Sequence, residues 1–443
     1  MKSKIIAAAV CAVLLLTLGG CDFSDLSSET MLRPPKTMGD EAEIEQLISA
    51  SAEGDYVLKY PKSGSYRSAI IMKDLDGDDV DEAIAFFRSK DAVTSLHMLV
   101  MYESDGHWQI SGDFVNESTD VDCVEFSDID EGSSLEILAG FTTYTPNVSF
   151  LTCYSFNGST TGSIQCSQTY SSFCCGNLDG EGKNEIVTLS LYNADNEARA
   201  SMLAFTPSKN ALFVKSSVAM DPNVVRYKSV VFADIASDVK GVAVDGSLAT
   251  EEVETQLIYY NKQLATLRNP LYREKEKNYT LRSCPVLCAD VDNEPSIEFP
   301  RVEKLPHKDS SDAAAVADKL IWCGFDVTKE APVPKLNMAS NYAFNYTIKI
   351  PASWESGSYT AINSEEKSSM TLCEWYRDSP GQSLFEIKVF DSSEWEKGKG
   401  TDDFKLIYRD NRYAYSYRNY YPDSALALSD DDIKKAFSIL NTN

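Results

Sequence analysis

Asp74, Asp76 and Asp78 alternate along the stretch DLDGDDVDEAI, with Gly77 between the last two and Glu82 eight positions after the first. Alternating carboxylates on a curled loop can converge on one point. An oxygen-only set of this kind suits a hard cation, calcium above all, which takes roughly six to eight oxygens. Gly77 supplies the backbone freedom that so tight a loop needs. Asn177, Asp179, Glu181 and Glu185, in NLDGEGKNEIV, form a second set of the same type. An EF-hand loop is excluded, because its sixth residue is glycine and its twelfth glutamate, where this chain has Asp79 and Ala85. The same side chains have a use that needs no metal. Asp and Asn close turns by accepting backbone amides two residues on, and a recurring glutamate can cap the turn. The sequence leaves both readings open.

Other chemistries find little support. Of the three histidines, His97, His107 and His307, none has a partner at metal-ligand spacing, and the first two read as strand and turn residues. No HExxH, nucleophile elbow, phosphate-binding loop or dinucleotide glycine pattern occurs. The remaining catalytic option is a pair of carboxylates of the kind that cleaves glycosidic bonds. The acids that stand out already have a repeated, structural placement, so no residue is assigned as catalytic.

That placement is the main signal in the chain. Related stretches begin at Asp74, Asp128, Asn177, Asp234 and Asp290, spaced 54, 49, 57 and 56 residues apart. Glutamate recurs eight residues in at Glu82, Glu136, Glu185 and Glu298, and aspartate at the third position at Asp76, Asp130, Asp179 and Asp292. A strand-like run precedes each motif and another follows, so the motif reads as an acidic turn between two strands. A third strand closes on an aromatic at Tyr102, Phe156, Phe205, Tyr260 and Phe325, and a fourth follows. The late position of Phe325 implies an insertion within about 300 to 318. Four strands per unit of roughly 50 residues is the pattern of a β-propeller blade. The expected fold is mainly β: a five-bladed propeller over residues 41–338, with a sixth, degenerate blade left open, and a C-terminal α+β domain over 339–443.

The repeats resemble the FG-GAP or VCBS-type family, strongly in the first and third, fairly in the second and fifth, poorly in the fourth. That resemblance implies that such loops bind calcium between two strands.

Beyond about Ala339 the acidic turn stops. Alternating runs predict further strands, and Ser392–Gly398 a short helix. Ser429 is placed to cap a closing helix whose apolar stripe is Ile433, Ala436, Phe437 and Leu440. Shape and pattern here resemble small PsbP-like domains and the domains that follow propellers in exported proteins of Gram-positive bacteria, which implies binding rather than catalysis. Tyr413, Tyr415 and Tyr417 share one strand face. An exposed row would stack on sugars; the commoner reading is a face packed under a helix.

The first residues place the chain. Lys2 and Lys4 precede the apolar run Ile5–Leu18, and LGGC follows, ending at Cys21. The run has the length and flanks of an export signal, and LGGC resembles a bacterial lipobox. That implies a signal peptide over 1–20, lipidation of Cys21, and a tether over 21–40. Nine cysteines then remain, an odd number without zinc spacing, most of them read as small core residues. The formal charge is −26, and −28 once Lys2 and Lys4 leave with the signal. So acidic a chain is ill suited to nucleic acid or to charge-driven binding of anionic lipid. The expectation is a lipid-anchored, extracytoplasmic binding module on the cell membrane, not an enzyme. Its cofactor would be calcium, and its partner a protein, a cell-wall polymer or a glycan. A carbohydrate hydrolase with paired carboxylates in the propeller channel is the alternative.

Overall fold

The computed structural model describes residues 39–440 apart from 91, 93, 131, 195, 309–314 and 399–402. The expected signal peptide, Cys21 and nearly all of the tether lie outside the described residues. No helix among the described residues is long and apolar enough to cross a membrane.

The acidic turns lie where the repeat places them. In the first unit Ile70–Lys73 and Glu82–Ser89 flank the turn and pair antiparallel, and Ser95–Ser104 and His107–Glu117 complete the meander. The second unit runs through Val121–Ser127, Glu136–Thr142, Ser149–Phe156 and Thr161–Tyr170. The third runs through Ser172–Gly176, Glu185–Ser190, Arg199–Thr206 and Ala211–Ala219, and one parallel bridge, Ala211 to Gln165, ties it to the second. The strands after the turns are apolar on both faces, as for Glu82–Phe87 and Glu136–Phe141. A strand buried on both sides needs a sheet against each face.

Stacking supplies those sheets. Ile84, Phe86 and Val100 of the first blade pack on Val124, Ile137 and Phe141 of the second. Leu138 and Leu151 of the second meet Ile186 and Leu203 of the third. Val187 and Met202 of the third meet Val242, Val244 and Ile258 of the fourth. Leu257 and Tyr259 of the fourth meet Phe299, Ile321 and Phe325 of the fifth. The molecule is mainly β with propeller-type blades. The first blade turns its outer face to the helix Asp40–Ser51, whose Ile44 and Ile48 cover Ala83, Phe87 and Met101. On the fifth blade, Leu320 and Trp322 lie under Cys284, Val286 and Leu440. Among the described residues no buried cluster joins the first blade to the fifth.

Two units depart from the repeat. In the fourth, Val224–Ala236 runs straight into Val239–Leu248 through the tight turn at Ser237 and Asp238. Asp234 is therefore a strand residue, which is why that motif matches poorly. Its outer strand is only Thr266–Arg268, and the chain then wanders over residues 269–298 before the fifth blade.

The expected boundary at 338/339 is corrected. It falls inside the strand Ala331–Asn341, and the meander continues into Tyr346–Lys349. The last sheet follows, ordered Tyr359–Ser364, Ser369–Tyr376, Ser379–Asp391, Tyr413–Asn419 and Lys405–Arg409. It shares one core with Ile348 and Ile350 of the fifth unit and with Ile433 and Ala436 of the closing helix. Ser429 caps that helix as expected, accepting from the Asp432 amide at 3.2 Å. The helix stops at Ala436, one turn early. Phe437–Ile439 instead zips onto Tyr346–Ile348, because a free strand edge there satisfies its backbone. The tyrosine row is core: Tyr415 and Tyr417 are buried beneath the closing helix, so the sugar platform is set aside.

Candidate functional site

The repeated glutamate is a turn cap. The Oε2 of Glu82 accepts the Leu75 amide at 2.8 Å, that of Glu136 the Ile129 amide at 2.8 Å, and that of Glu185 the Leu178 amide at 2.8 Å. Glu298 does the same to Val291 at 3.2 Å. Burial pushes the carboxyls of Glu82, Glu136 and Glu185 up to about 7, against the pull of those amides. The aspartates add short loops of their own. Asp179 Oδ1 accepts the Glu181 amide at 2.8 Å and Asp292 Oδ1 the Glu294 amide at 3.0 Å.

What the sequence did not reveal is that lysines sit on these turns. Lys215 binds Asp179 and reaches Glu181 at 3.4 Å. Lys335 binds Glu298 at 2.8 Å, Glu294 at 3.1 Å and Asp292 at 3.3 Å. Both lysines occupy one structural position. Lys215 is the residue skipped between Val214 and Ser216 where the ladder bulges, and Lys335 is skipped in the same way between Pro334 and Leu336. A bulge re-aims a side chain off the regular alternation, here towards the blade's own acidic turn. In the second blade the lysine comes from a neighbour: Lys183 of the third turn binds Asp128 at 2.7 and 2.8 Å. In the fourth, Lys240 binds Asp234 at 2.8 Å.

The first turn differs. Its bulged residue is Ser111, skipped between Ile110 and Gly112, and Ser111 bonds Thr161 instead. Carboxylate oxygens of Asp74, Asp76 and Asp78 lie within 4.8 Å of one another. Asp74 accepts the amides of Gly77 at 2.7 Å and Asp79 at 3.1 Å, while Asp76 Oδ1 is buried without a hydrogen-bond partner. Burial, then the Asp78 charge, raises the Asp76 carboxyl, and no cation acts against them. Gly77 and Asp79 both take left-handed backbone, with φ of 78° and 68°. Of the expected set, Asp74, Asp76 and Asp78 converge, while Glu82 is engaged as the cap. In the third turn Asp179, Glu181 and Lys215 form an ion cluster, and among the described residues no acid triple converges there. The second and fifth turns do bring acid oxygens together, at Asp128, Asp130 and Glu136 and at Asp290, Asp292 and Glu298, under their lysines.

Two concavities are distinct from the converging carboxylates, although Asn177, Leu178 and Gly180 of the third turn line the first of them. The larger, about 640 Å³, spans blades three to five. Tyr259, Tyr260, Lys240, Lys262, Arg268 and Lys329 line it, against Asp238 and Glu330 as its only acids. Glu330 accepts Arg268 at 2.6 and 2.9 Å and the Tyr259 hydroxyl at 2.6 Å, and these bonds, Arg268 first, hold its carboxyl below the usual range. The second, about 480 Å³, lies where the first strands of blades two, three and four converge. Asp122 and Glu125 line it, with Tyr170, Arg226 and Lys228. Tyr170 donates to Asp122 at 2.7 Å, and burial raises Glu125. His97 bonds Asp113 at 2.9 Å and stacks on Phe87, away from either cavity. All nine described cysteines are free thiols.

No family model and no curated protein matches the chain. Among solved structures it is similar to Sqt1 of Saccharomyces cerevisiae, at 6% identity and a TM-score of 0.33, over 74% of this chain and 76% of that one. It is also similar to the Dos1 propeller, at 11% identity and 0.27, over 83% and 81%. A third is the exotype rhamnogalacturonan lyase YesX, at 10% identity and 0.29, over 72% and 63%. These likenesses are remote; the fold assignment rests on the repeated sheets themselves.

Proposed function

We propose that this chain is an extracytoplasmic binding module, anchored to the cell membrane by lipid at Cys21, whose groove across blades three to five takes an anionic cell-wall polymer or acidic glycan. The observation that carries the reading is the groove's composition. On a chain of charge −26, Lys240, Lys262, Arg268, Lys329 and the half-buried Tyr260 line a concavity of about 640 Å³, and Glu330 in its wall is paired with Arg268. A face such as that of Tyr260 stacks on a sugar ring while fixed cations hold anionic groups, and the surrounding acidic surface turns away other polyanions. The FG-GAP resemblance of the repeats and the PsbP-like outline of the last sheet agree with a binding role. Calcium is assigned to Asp74, Asp76 and Asp78 of the first turn, where no lysine supplies the positive charge. The test is co-sedimentation of residues 22–443 with purified wall polymer and a panel of acidic and neutral glycans. Binding should fall at least about tenfold in Lys262→Glu, which reverses a charge in the groove. Retention by Lys262→Glu equal to the parent's sinks the groove as the binding site.

A second reading is favoured by the second cavity, where Asp122 and Glu125 face one space and burial raises the Glu125 carboxyl. A hydrolase of this kind would release reducing sugar from the same panel, and Glu125→Gln would abolish the release.

A further inference from the structure

The groove across blades three to five holds more cations than it leaves free. Lys240 is bound to Asp234 at 2.8 Å, Arg268 to Glu330 at 2.6 Å and Lys329 to Asp326 at 3.0 Å. Lys262 is the exception. It is exposed, and among the described residues it has neither an ion pair nor a hydrogen bond. Its ammonium is nevertheless placed. A Cβ at Gly180 would fall 2.5 Å from Lys262 Nζ, so the charge lies against the bare backbone of the third turn, where Gly180 takes a φ of 69°.

The third turn supplies a second unspent group. In the first and fifth turns the leading aspartate closes its own loop: Asp74 accepts the Gly77 amide at 2.7 Å and Asp290 the Asn293 amide at 2.8 Å. The corresponding residue of the third turn is Asn177, and it closes nothing. Among the described residues its side-chain amide has no hydrogen-bond partner at either end, and its Oδ1 is buried in that state. Asn177, Gly180 and Lys262 line the same cavity. An idle amide there is costly, and it has both a donor and an acceptor to offer. Tyr260 completes the set. It ends the strand Val253–Asn261 just before Lys262 and is half-buried in the groove wall. Lys215 Nζ lies over its ring at 5.3 Å, so a ligand ring meets the other face. Tyr259 is buried, with its hydroxyl committed to Glu330.

One free ammonium takes one anionic group. A densely charged polyanion would set its further charges against Glu330 and against Asp238, whose carboxylate meets only the Ser237 hydroxyl, at 3.4 Å, among the described residues. A sugar ring with a single carboxylate and neighbouring hydroxyls uses all three groups. On the reading of the groove given above, we infer that Asn177, Tyr260 and Lys262 form a subsite for a hexuronic acid unit. Lys262 holds the carboxylate, the Asn177 amide a ring hydroxyl, and Tyr260 packs on the ring. The cavity, about 640 Å³, falls within the roughly 300–1,000 Å³ of small-ligand sites.

The experiment is titration calorimetry of residues 22–443 with three probes: a hexuronate oligomer, the same oligomer with its carboxyls reduced to alcohols, and inorganic polyphosphate. The parent should bind the hexuronate at least about tenfold more tightly than the reduced oligomer, and more tightly than polyphosphate. Lys262→Met keeps the stem and deletes the charge, and it should remove that discrimination. Asn177→Ala should weaken both sugar oligomers about fivefold and leave their ratio unchanged. Asn177→Asp can close the turn as Asp74 does, yet it should lose the hexuronate preferentially; a residue that merely supported the turn would not show this. Hexuronate binding by Asn177→Ala equal to the parent's overturns the inference. So does a parent that prefers polyphosphate, a result that needs no variant to fold. Failure of the groove itself is read separately, as co-sedimentation of Lys262→Glu with wall polymer or acidic glycans at the parent's level. Co-sedimentation that falls in Lys262→Glu, without preference for hexuronate over its reduced form, keeps the groove and overturns the subsite alone.

Discussion

Replacing Lys335 by methionine keeps the length of the stem and removes the ammonium. In the fifth blade that ammonium lies 2.8 Å from Glu298, 3.1 Å from Glu294 and 3.3 Å from Asp292. The Glu298 side chain is 0% exposed and Lys335 only 25%. A single pair at that distance gains about 6 kcal/mol at an effective dielectric of about 20. Desolvation of both ions removes much of this, and exposed pairs measure about 1 kcal/mol while broken buried ones cost about 3–5. With one partner buried and the other partly exposed, Lys335→Met should lower unfolding free energy by about 2–4 kcal/mol at neutral pH. Urea unfolding in chelator reads it, and Lys335→Met/Glu298→Gln should recover more than half of the loss, because a carboxamide still accepts the Val291 amide. The variant should also gain something the parent lacks. Without the lysine, the oxygens of Asp290, Asp292 and Glu298 converge within 4.8 Å around a vacated charge, so added calcium should restore part of the stability. A cost below about 0.5 kcal/mol together with no calcium response would refute the view that these lysines act as built-in cations.

The converse change, Ser111→Lys, puts a lysine at the bulge of the first blade and should weaken calcium binding at Asp74, Asp76 and Asp78 at least about tenfold, near 1.4 kcal/mol, by titration calorimetry. Glu136→Gln should flatten the pH dependence of stability. The folded chain holds that proton up to about pH 7, well above the unfolded chain, so each such glutamate costs about 1–3 kcal/mol as pH rises through that window, and the variant should exceed the parent in thermal midpoint at pH 8 but not at pH 5. Arg282→Met strands Asp245, whose side chain is fully buried, and should cost about 3–5 kcal/mol by denaturant melt, with Asp245→Asn in the same chain recovering part of it.

The blades were legible because their signal is local and repeated. An acidic turn, a glutamate eight residues in and an aromatic closing the third strand recur at fixed offsets, and each offset reflects one hydrogen bond or one packed ring. The turn cap by Glu82 and its counterparts was legible for the same reason. The lysines were not. Lys215 and Lys335 lie 36 and 37 residues after the acids they serve, on strands whose bulge, not their sequence, aims the side chain. A comparison of fourth strands would have aligned ALFVKSSVA with APVPKLNMA, which is the one signal available. The groove escaped notice because its residues come from turns of three different blades. The domain boundary was misplaced because Tyr346–Lys349 carries no acidic turn and reads as any strand would. Its membership in the fifth sheet is decided by pairing alone.

That last pairing bears on the order in which the chain can be completed. The edge of the fifth sheet is closed by Phe437–Ile439, and Leu440 covers its outer core. A chain emerging N-terminus first could stack blades one to four as each appears, since each is contiguous in sequence. The fifth must wait until the final residues have emerged. We expect a late, cooperative closing step that involves the fifth blade and last sheet together, and a chain cut short by even the last few residues should keep its early blades while leaving Leu320 and Trp322 open to solvent and to proteases.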